Sequence, residues 1–168
     1  MDRFTKGFIS GIIAGLVFNL ISLLSGFMGM SKLPIAAWTA IIIYGRTPPF
    51  TPIEIFIALV GNVFFTGILG CIFAYLLLGI NRTHIYFKGI VYSIGVWFSI
   101  YAVTALFKLE GTLSLDLYTV LSNVIMSIVF GTGLAYFLAV LSTARTSPAT
   151  KPVTTEQVDS PDDENEND

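Results

Sequence analysis

Residues 53–80 read IEIFIALVGNVFFTGILGCIFAYLLLGI, and Glu54 is the one charged side chain in this stretch. A helix needs about 20 mostly apolar residues, at about 1.5 Å each, to cross a hydrocarbon core about 30 Å thick. The glycines inside the stretch do not argue against a helix, because lipid offers the backbone no other hydrogen-bond partners. The stretch therefore predicts a transmembrane helix.

Three further stretches, 7–30, 89–107 and 117–142, are of similar length and contain no charged residue. The whole chain is 54% hydrophobic and 12% charged, with a mean hydropathy of +0.78. Such a composition excludes a soluble enzyme, a basic nucleic-acid binder and a disulfide-stapled secreted domain. The sequence thus predicts an all-α, membrane-embedded four-helix bundle over residues 1–142. The first span is too long for the apolar region of a cleaved signal peptide, about 7–15 residues.

The connection between the first two spans contains a shorter apolar segment, 35–45, with Trp38 and Tyr44. It is too short to cross the membrane, and aromatic side chains of this kind favour the boundary between lipid and water. We expect a short interfacial helix in this first outer loop.

Residues 143–168 differ in character from the rest of the chain. They contain seven acidic residues against two basic ones and show no apolar periodicity. Such a segment cannot bury enough apolar surface to fold alone. The sequence predicts a disordered acidic tail, and it leaves open that the tail docks a cytoplasmic protein.

The orientation of the spans follows from the basic residues that flank them. Lys and Arg gather on the cytoplasmic side of membrane proteins. One side of the bundle would carry Arg3, Lys6, Arg82, Lys88, Arg145 and Lys151, and the other would carry Lys32, Arg46 and Lys108. This asymmetry predicts a multi-pass protein of the plasma membrane with both termini in the cytoplasm.

The second and fourth spans resemble each other. Residues 62–77 read NVFFTGILGCIFAYLL, and residues 123–138 read NVIMSIVFGTGLAYFL. The first and third spans share a Lys-Gly pair at their starts, Lys6-Gly7 and Lys88-Gly89. A tandem duplication of a helical hairpin would give this pattern, with a pseudo-twofold axis along the membrane normal. Chance similarity between apolar segments is the alternative.

Small residues recur every fourth position in three spans, and positions four apart share one helix face. Faces of small residues let helices approach closely in lipid, where hydrophobic burial does not drive association. We therefore predict that these faces point inward and form the packing surface of the bundle. They comprise Gly7, Gly11 and Gly15 in the first span, Thr66, Gly70 and Ala74 in the second, and Ser127, Gly131 and Ala135 in the fourth.

One polar side chain in each span falls in the outer half of the bilayer by its position along the helix. These are Asn19, Asn62, Tyr101 and Asn123, which we predict to form an intramembrane polar cluster. Interhelical hydrogen bonds that hold the bundle together are one interpretation, and each such bond typically contributes ~0.6–2 kcal/mol. A site for a small polar solute or an ion is the other.

The sequence lacks the residues that common intramembrane chemistry requires. His84 is the one histidine, whereas metalloproteases need paired histidine ligands. The acidic residues outside the tail, Asp2, Glu54, Glu110 and Asp116, all lie at the ends of spans rather than at membrane depth. The sequence predicts no catalytic residue, no metal site, no cofactor and no enzymatic activity. Thr51-Pro52-Ile53-Glu54 instead fits a helix-capping box.

Several short motifs resemble a known family. They are Lys88-Gly89-Ile90-Val91-Tyr92 with Trp97, Asp116-Leu117-Tyr118-Thr119, Phe130-Gly131, Ala135-Tyr136 and the glycine-rich span Gly7–Phe18. With these motifs, residues 6–141 resemble the YqhR-type small membrane proteins of Bacillus-like bacteria. The resemblance implies a four-span protein of the plasma membrane, and it implies no activity.

Two functions fit these observations. The first is a non-enzymatic integral membrane protein with a structural or accessory role. The second is a small oligomeric channel or carrier for a neutral or weakly polar solute. The lipid bilayer is the expected partner, nucleic acid is not, and a homodimer stays open because four helices barely enclose a pathway.

Overall fold

The structure is a computed structural model that describes residues 2–29, 33–79, 83–112 and 117–143. Within these ranges the chain is helical and contains no strand, which confirms the all-α prediction. Five helices follow one another along the chain: α1 (Arg3–Phe27), α2 (Ile35–Tyr44), α3 (Pro52–Gly79), α4 (Ile85–Leu106) and α5 (Leu117–Thr143). The predicted tail lies outside the described residues, apart from Thr143.

The four long helices are each long and apolar enough to cross a membrane. Three of them begin before the predicted spans: α1 at Arg3 instead of Gly7, α4 at Ile85 instead of Gly89, and α3 one residue early, at Pro52. Asp2 caps α1 by accepting a 3.2 Å hydrogen bond from the Thr5 amide. Hydropathy marks the part of a helix that lipid surrounds, whereas the helix itself continues through polar residues to its cap.

The predicted capping box at the start of α3 is confirmed by its hydrogen bonds. The Thr51 amide donates to Glu54 Oε2 at 2.7 Å, and the Glu54 amide donates to Thr51 Oγ1 at 3.4 Å. Arg46 adds an ion pair to Glu54 Oε1 at 2.6 Å. The charged residue of the second span is therefore a helix cap at its edge rather than a group inside the bundle.

The bundle is built around α1, which packs against α3 on one side and α5 on the other. α4 packs against α5, and α2 packs against α3 and α1. The bundle therefore has two ends: the α2 end, where α3 and α5 begin, and the tail end, where they finish. From the basic residues, the α2 end is the predicted outer end.

Two helix pairs repeat the same close contact. A Cβ atom added to Gly7 would lie 2.7 Å from the Gly70 carbonyl oxygen and 2.9 Å from Ala74 Cβ. A Cβ atom added to Gly89 would overlap the Gly131 carbonyl oxygen and lie 3.0 Å from Ala135 Cβ. The α1–α3 and α4–α5 pairs thus meet at matching positions, which is what a duplicated helical hairpin predicts.

The outer surface of the bundle is apolar along the length of the helices. The side chains of Leu20, Phe64 and Phe98 are 60%, 59% and 64% exposed. Phe73 and Leu134, by contrast, are completely buried in the core between the helices. Large apolar side chains outside and small residues at the contacts are the arrangement expected of a bundle that lipid surrounds.

Candidate functional site

A cavity of about 430 Å³ lies between α3, α4 and α5, toward the α2 end of the bundle. Helix α2 covers it through Trp38, Ile42 and Ile43, and Phe18 of α1 reaches its wall. Its volume falls within the range of small-molecule sites, about 300–1,000 Å³. The polar side chains that line it are Thr39, Asn62, Thr66, Ser93, Asn123 and Ser127. None of the described lining residues is charged.

A chain of hydrogen bonds crosses three helices at one edge of this cavity. Asn19 Nδ2 donates to Asn62 Oδ1 at 3.1 Å, and Asn62 Nδ2 donates to Thr39 Oγ1 at 3.1 Å. The Thr39 hydroxyl in turn donates to the Ile35 carbonyl oxygen at 2.8 Å. Asn62 therefore uses both its amide oxygen and its amide nitrogen to join α1, α3 and α2.

Two more contacts support this network from α1. Asn19 Nδ2 also donates to the Gly15 carbonyl oxygen at 2.8 Å, which fixes the orientation of its side chain. Ser22 Oγ accepts a 3.0 Å hydrogen bond from the Ile35 amide and so satisfies a donor at the start of α2. Asn19 and Ser22 are both more than nine-tenths buried. The short helix is thus fastened to α1 at its first turn and to α3 one turn later.

Asn123 lies on the other side of the same cavity. Its side chain is half-buried and makes no hydrogen bond to any of the described residues. Its backbone carbonyl oxygen accepts a 2.9 Å hydrogen bond from the Ser127 hydroxyl. The Asn123 carboxamide therefore faces the cavity with both a donor and an acceptor available for a ligand.

The structure does not join Tyr101 to the asparagines. Its ring packs between two tryptophans, with centroid distances of 6.1 Å to Trp38 and 5.8 Å to Trp97. Across the residues that the structure describes, the indole nitrogens of Trp38 and Trp97 are buried without a hydrogen-bond partner. Of the four predicted members of the polar cluster, Asn19 and Asn62 are bonded to each other and Asn123 faces the cavity beside them. Tyr101 belongs to an aromatic wall instead.

The predicted packing faces lie at helix contacts. Gly11 and Gly15 lie against Thr66, so closely that a Cβ atom on either would overlap it. Gly70 faces Gly7, and Gly131 faces Gly89 with Ser93 beside it. Ala74 and Ala135 are buried in the core, and Ser127 is buried beside the cavity.

Sequence reasoning missed Thr39 and Ser93 as site residues. Ser93 follows Gly89 by four positions, so the same spacing that marked the other faces could have found it. No comparable signal pointed to Thr39. Its role depends on how α2 folds back onto α3, which is a tertiary contact.

A second cleft, of about 280 Å³, lies at the tail end of the bundle. Arg3 and Lys6 line it together with Ser142 and Thr143 at the end of α5. One guanidinium nitrogen of Arg3, Nη1, is buried there without a partner among the described residues. The two cavities differ in electrostatics, because the cleft carries two cations and the cavity carries none.

Comparison with protein-family models, with curated proteins and with solved structures finds no match to this chain. The resemblance to the YqhR-type proteins therefore stays a prediction from short motifs.

Proposed function

We propose that this chain is a non-enzymatic integral protein of the plasma membrane, with both termini in the cytoplasm and an accessory role based on binding an uncharged molecule. The four long apolar helices support membrane spanning, and the distribution of Lys and Arg supports the orientation. The YqhR-type resemblance supports the same location. The lack of paired histidines or of carboxylates at membrane depth supports a role without catalysis.

One observation carries the binding function: the cavity is lined by amide and hydroxyl groups but by no charge among its described residues. Buried polar groups without partners are costly in an apolar environment, and a ligand that pairs with them removes this cost. The Asn123 carboxamide, which is half-buried at the cavity wall and unbonded, carries part of this cost. An uncharged ligand with hydrogen-bonding capacity fits this site better than an ion does.

The alternative is a channel or carrier for a neutral or weakly polar solute. The cavity would serve it as a binding chamber, but the bundle is packed between the cavity and the tail end. Phe73 and Leu134 fill the interior toward the tail end, and both are fully buried. Transport would therefore require either a homodimer with a shared pathway or a large rearrangement of the helices, so we favour binding.

Flux measurements on proteoliposomes separate the two functions. We expect vesicles that contain the purified protein to swell in glycerol or urea gradients at the rate of empty vesicles. A faster rate that Asn123→Leu abolishes would establish transport and overturn the accessory role. The matched control is Ser99→Leu, which changes an exposed polar side chain of α4 outside the cavity.

A further inference from the structure

The mouth of the cavity is apolar. Ile42, Ile43 and Phe65 form part of its lining and are 48%, 47% and 42% exposed, and Gly61 is exposed beside them. Gly61 and Phe65 lie about 14 Å and 20 Å from the start of α3, at 1.5 Å per residue. An opening at this depth with apolar edges faces hydrocarbon rather than water.

α3 and α4 are not among the helix pairs that pack closely against each other, and residues of both line the cavity. Toward the tail end, Tyr92 holds them together, because its hydroxyl donates to the Leu69 carbonyl oxygen at 2.8 Å and its ring packs 5.2 Å from Phe73. Beyond this contact the helices border the cavity. A molecule in the bilayer can therefore reach the cavity sideways, between α3 and α4.

The internal repeat explains why this gap exists. The α1–α5 interface is closed by an aromatic pair, Phe18 and Phe130, whose ring centroids are 5.9 Å apart. The residues at the matching positions of α4 and α3 are Ile100 and Leu69, which are smaller and line the cavity instead. One interface between the repeats is thus filled, and its counterpart is open.

The polar groups of the cavity suit a hydroxyl group. Asn123 offers both a donor and an acceptor, and Ser93 and Ser127 already donate their own protons to the Ile90 and Asn123 carbonyl oxygens. The serine oxygens can therefore only accept a further hydrogen bond. A ligand that both donates and accepts, as a hydroxyl does, matches this set.

The charges argue against a phospholipid head group. A buried phosphate carries a charge that a nearby cation must compensate, and no described lining residue supplies a positive charge. Arg46, which lies at the α2 end, is already paired with Glu54 at 2.6 Å. The cavity also has room for only part of a lipid, since about 430 Å³ is near the lower limit of small-molecule sites.

We propose that the cavity binds the head group of an uncharged, hydroxyl-bearing lipid, such as a diacylglycerol, which enters between α3 and α4 and leaves its chains in the bilayer. This inference rests on the proposed function, because it names the ligand class of the same cavity.

Photo-crosslinking in liposomes tests the proposal. The probes are a photoreactive, clickable diacylglycerol and the phosphatidic acid with the same chains. We expect the diacylglycerol to label peptides of α3 and α4 that line the cavity, and the phosphatidic acid to label them about tenfold less. Asn123→Leu should lower diacylglycerol labelling about two- to tenfold, which corresponds to one hydrogen bond.

Two glycine substitutions provide the matched pair. Leu at Gly61 would narrow the mouth without a backbone clash, because an added Cβ atom meets only Ile43 Cδ1, at 3.5 Å. Leu at Gly95 of α4 has nothing within 4 Å of its Cβ and lies outside the cavity lining. We expect Gly61→Leu to abolish diacylglycerol labelling and Gly95→Leu to leave it unchanged.

Four outcomes would overturn the proposal, and they differ in what they say about the site. Equal labelling by both probes would show that the head group is not selected, and equal labelling of Gly61→Leu would show that the lipid contacts only the outer surface. Glycerol flux that depends on Asn123, without lipid labelling, would show that the ligand of the cavity is an uncharged solute and not a lipid. Glycerol and urea are the probes for a bound neutral solute. If neither lipid labelling nor binding of these solutes is found, the proposed binding function fails as well.

Discussion

At the scale of single residues, Asn62 connects three helices. Its carboxamide is the acceptor for Asn19 and the donor to Thr39, so that loss of either partner leaves a polar atom of Asn62 unpaired. Asn62 is 9% exposed and Asn19 is 4% exposed, which makes an unpaired group costly at either position. Asn123 differs, because its side chain pairs with none of the described residues.

Leucine substitutions at the asparagines should show this difference. We expect Asn19→Leu to destabilise the folded protein by about 1 kcal/mol, because it breaks one interhelical hydrogen bond. Asn62→Leu should cost more, because it breaks two. The double variant should lose less than the sum of the two, since either single change already breaks the shared bond. Unfolding of the purified protein in mixed micelles, followed by circular dichroism, measures these values.

The control for this cycle is the pair Asn19 and Asn123. Asn123→Leu should change stability little, and its effect should add to that of Asn19→Leu because the two side chains share no bond. Additive losses for Asn19 and Asn62 would show that their 3.1 Å hydrogen bond contributes nothing measurable.

At the scale of elements, the glycine contacts define two helix pairs of the same design. A methyl group on Gly70 would meet the backbone of Gly7 and Gly11, and one on Gly131 would meet the Gly89 carbonyl oxygen and the Ser93 hydroxyl. Backbone atoms cannot move aside without separating the helices. The closeness of each pair therefore depends on the absence of a side chain at these positions.

Alanine at either glycine should destabilise the bundle by about 1–3 kcal/mol, the usual cost of overpacking. We expect Gly70→Ala and Gly131→Ala to lower the thermal midpoint by similar amounts, because their contacts match. Gly95→Ala should leave it unchanged or raise it, since nothing lies within 4 Å and alanine is the better helix former. If Gly70→Ala lowered the thermal midpoint and Gly131→Ala did not, the result would argue against equivalent repeats.

The elements also show what the sequence can and cannot predict. The helical architecture and the capping box at Thr51 follow from local spacing, and the sequence predicts them well. The position of α2 does not, since Thr39 meets Asn62 only after the chain has folded back across α3. The cavity could not be predicted from the sequence either. At the α3–α4 interface, Ile100 and Leu69 line it, whereas Phe18 and Phe130 fill the matching space between α1 and α5.

Tyr101 illustrates the same limit. Its depth along the third span placed it level with the asparagines, but depth does not fix the direction in which a side chain points around the helix. The two tryptophans on α2 and α4 hold its ring in an aromatic wall. The rotation of a helix about its axis is set by its packing against other helices, and the spacing of residues in the sequence does not predict that packing.

At the scale of the whole molecule, the orientation in the membrane is the first prediction to test. Alkaline phosphatase fused after Arg46 or Lys108 should be active, because these positions are expected outside the cell. Fusions after Arg82 or Lys151 should be inactive, because the excess of Lys and Arg holds those segments in the cytoplasm. Activity at Arg82 would reverse the orientation and place the cavity in the inner leaflet.

The acidic tail is the second whole-molecule test. Its composition predicts no apolar burial, so truncation after Thr143 should leave expression unchanged and shift the melting temperature by less than about 2 °C.

The cleft at the tail end offers the competing outcome, because Arg3 and Lys6 line it beside Thr143, where the tail starts. If tail carboxylates pair with these cations, truncation should lower the melting temperature in low salt. That loss should disappear near 1 M salt, where the screening length falls to about 3 Å. Arg3→Gln with Lys6→Gln would then reproduce the effect in the full chain, and the tail would be part of the folded protein rather than dispensable.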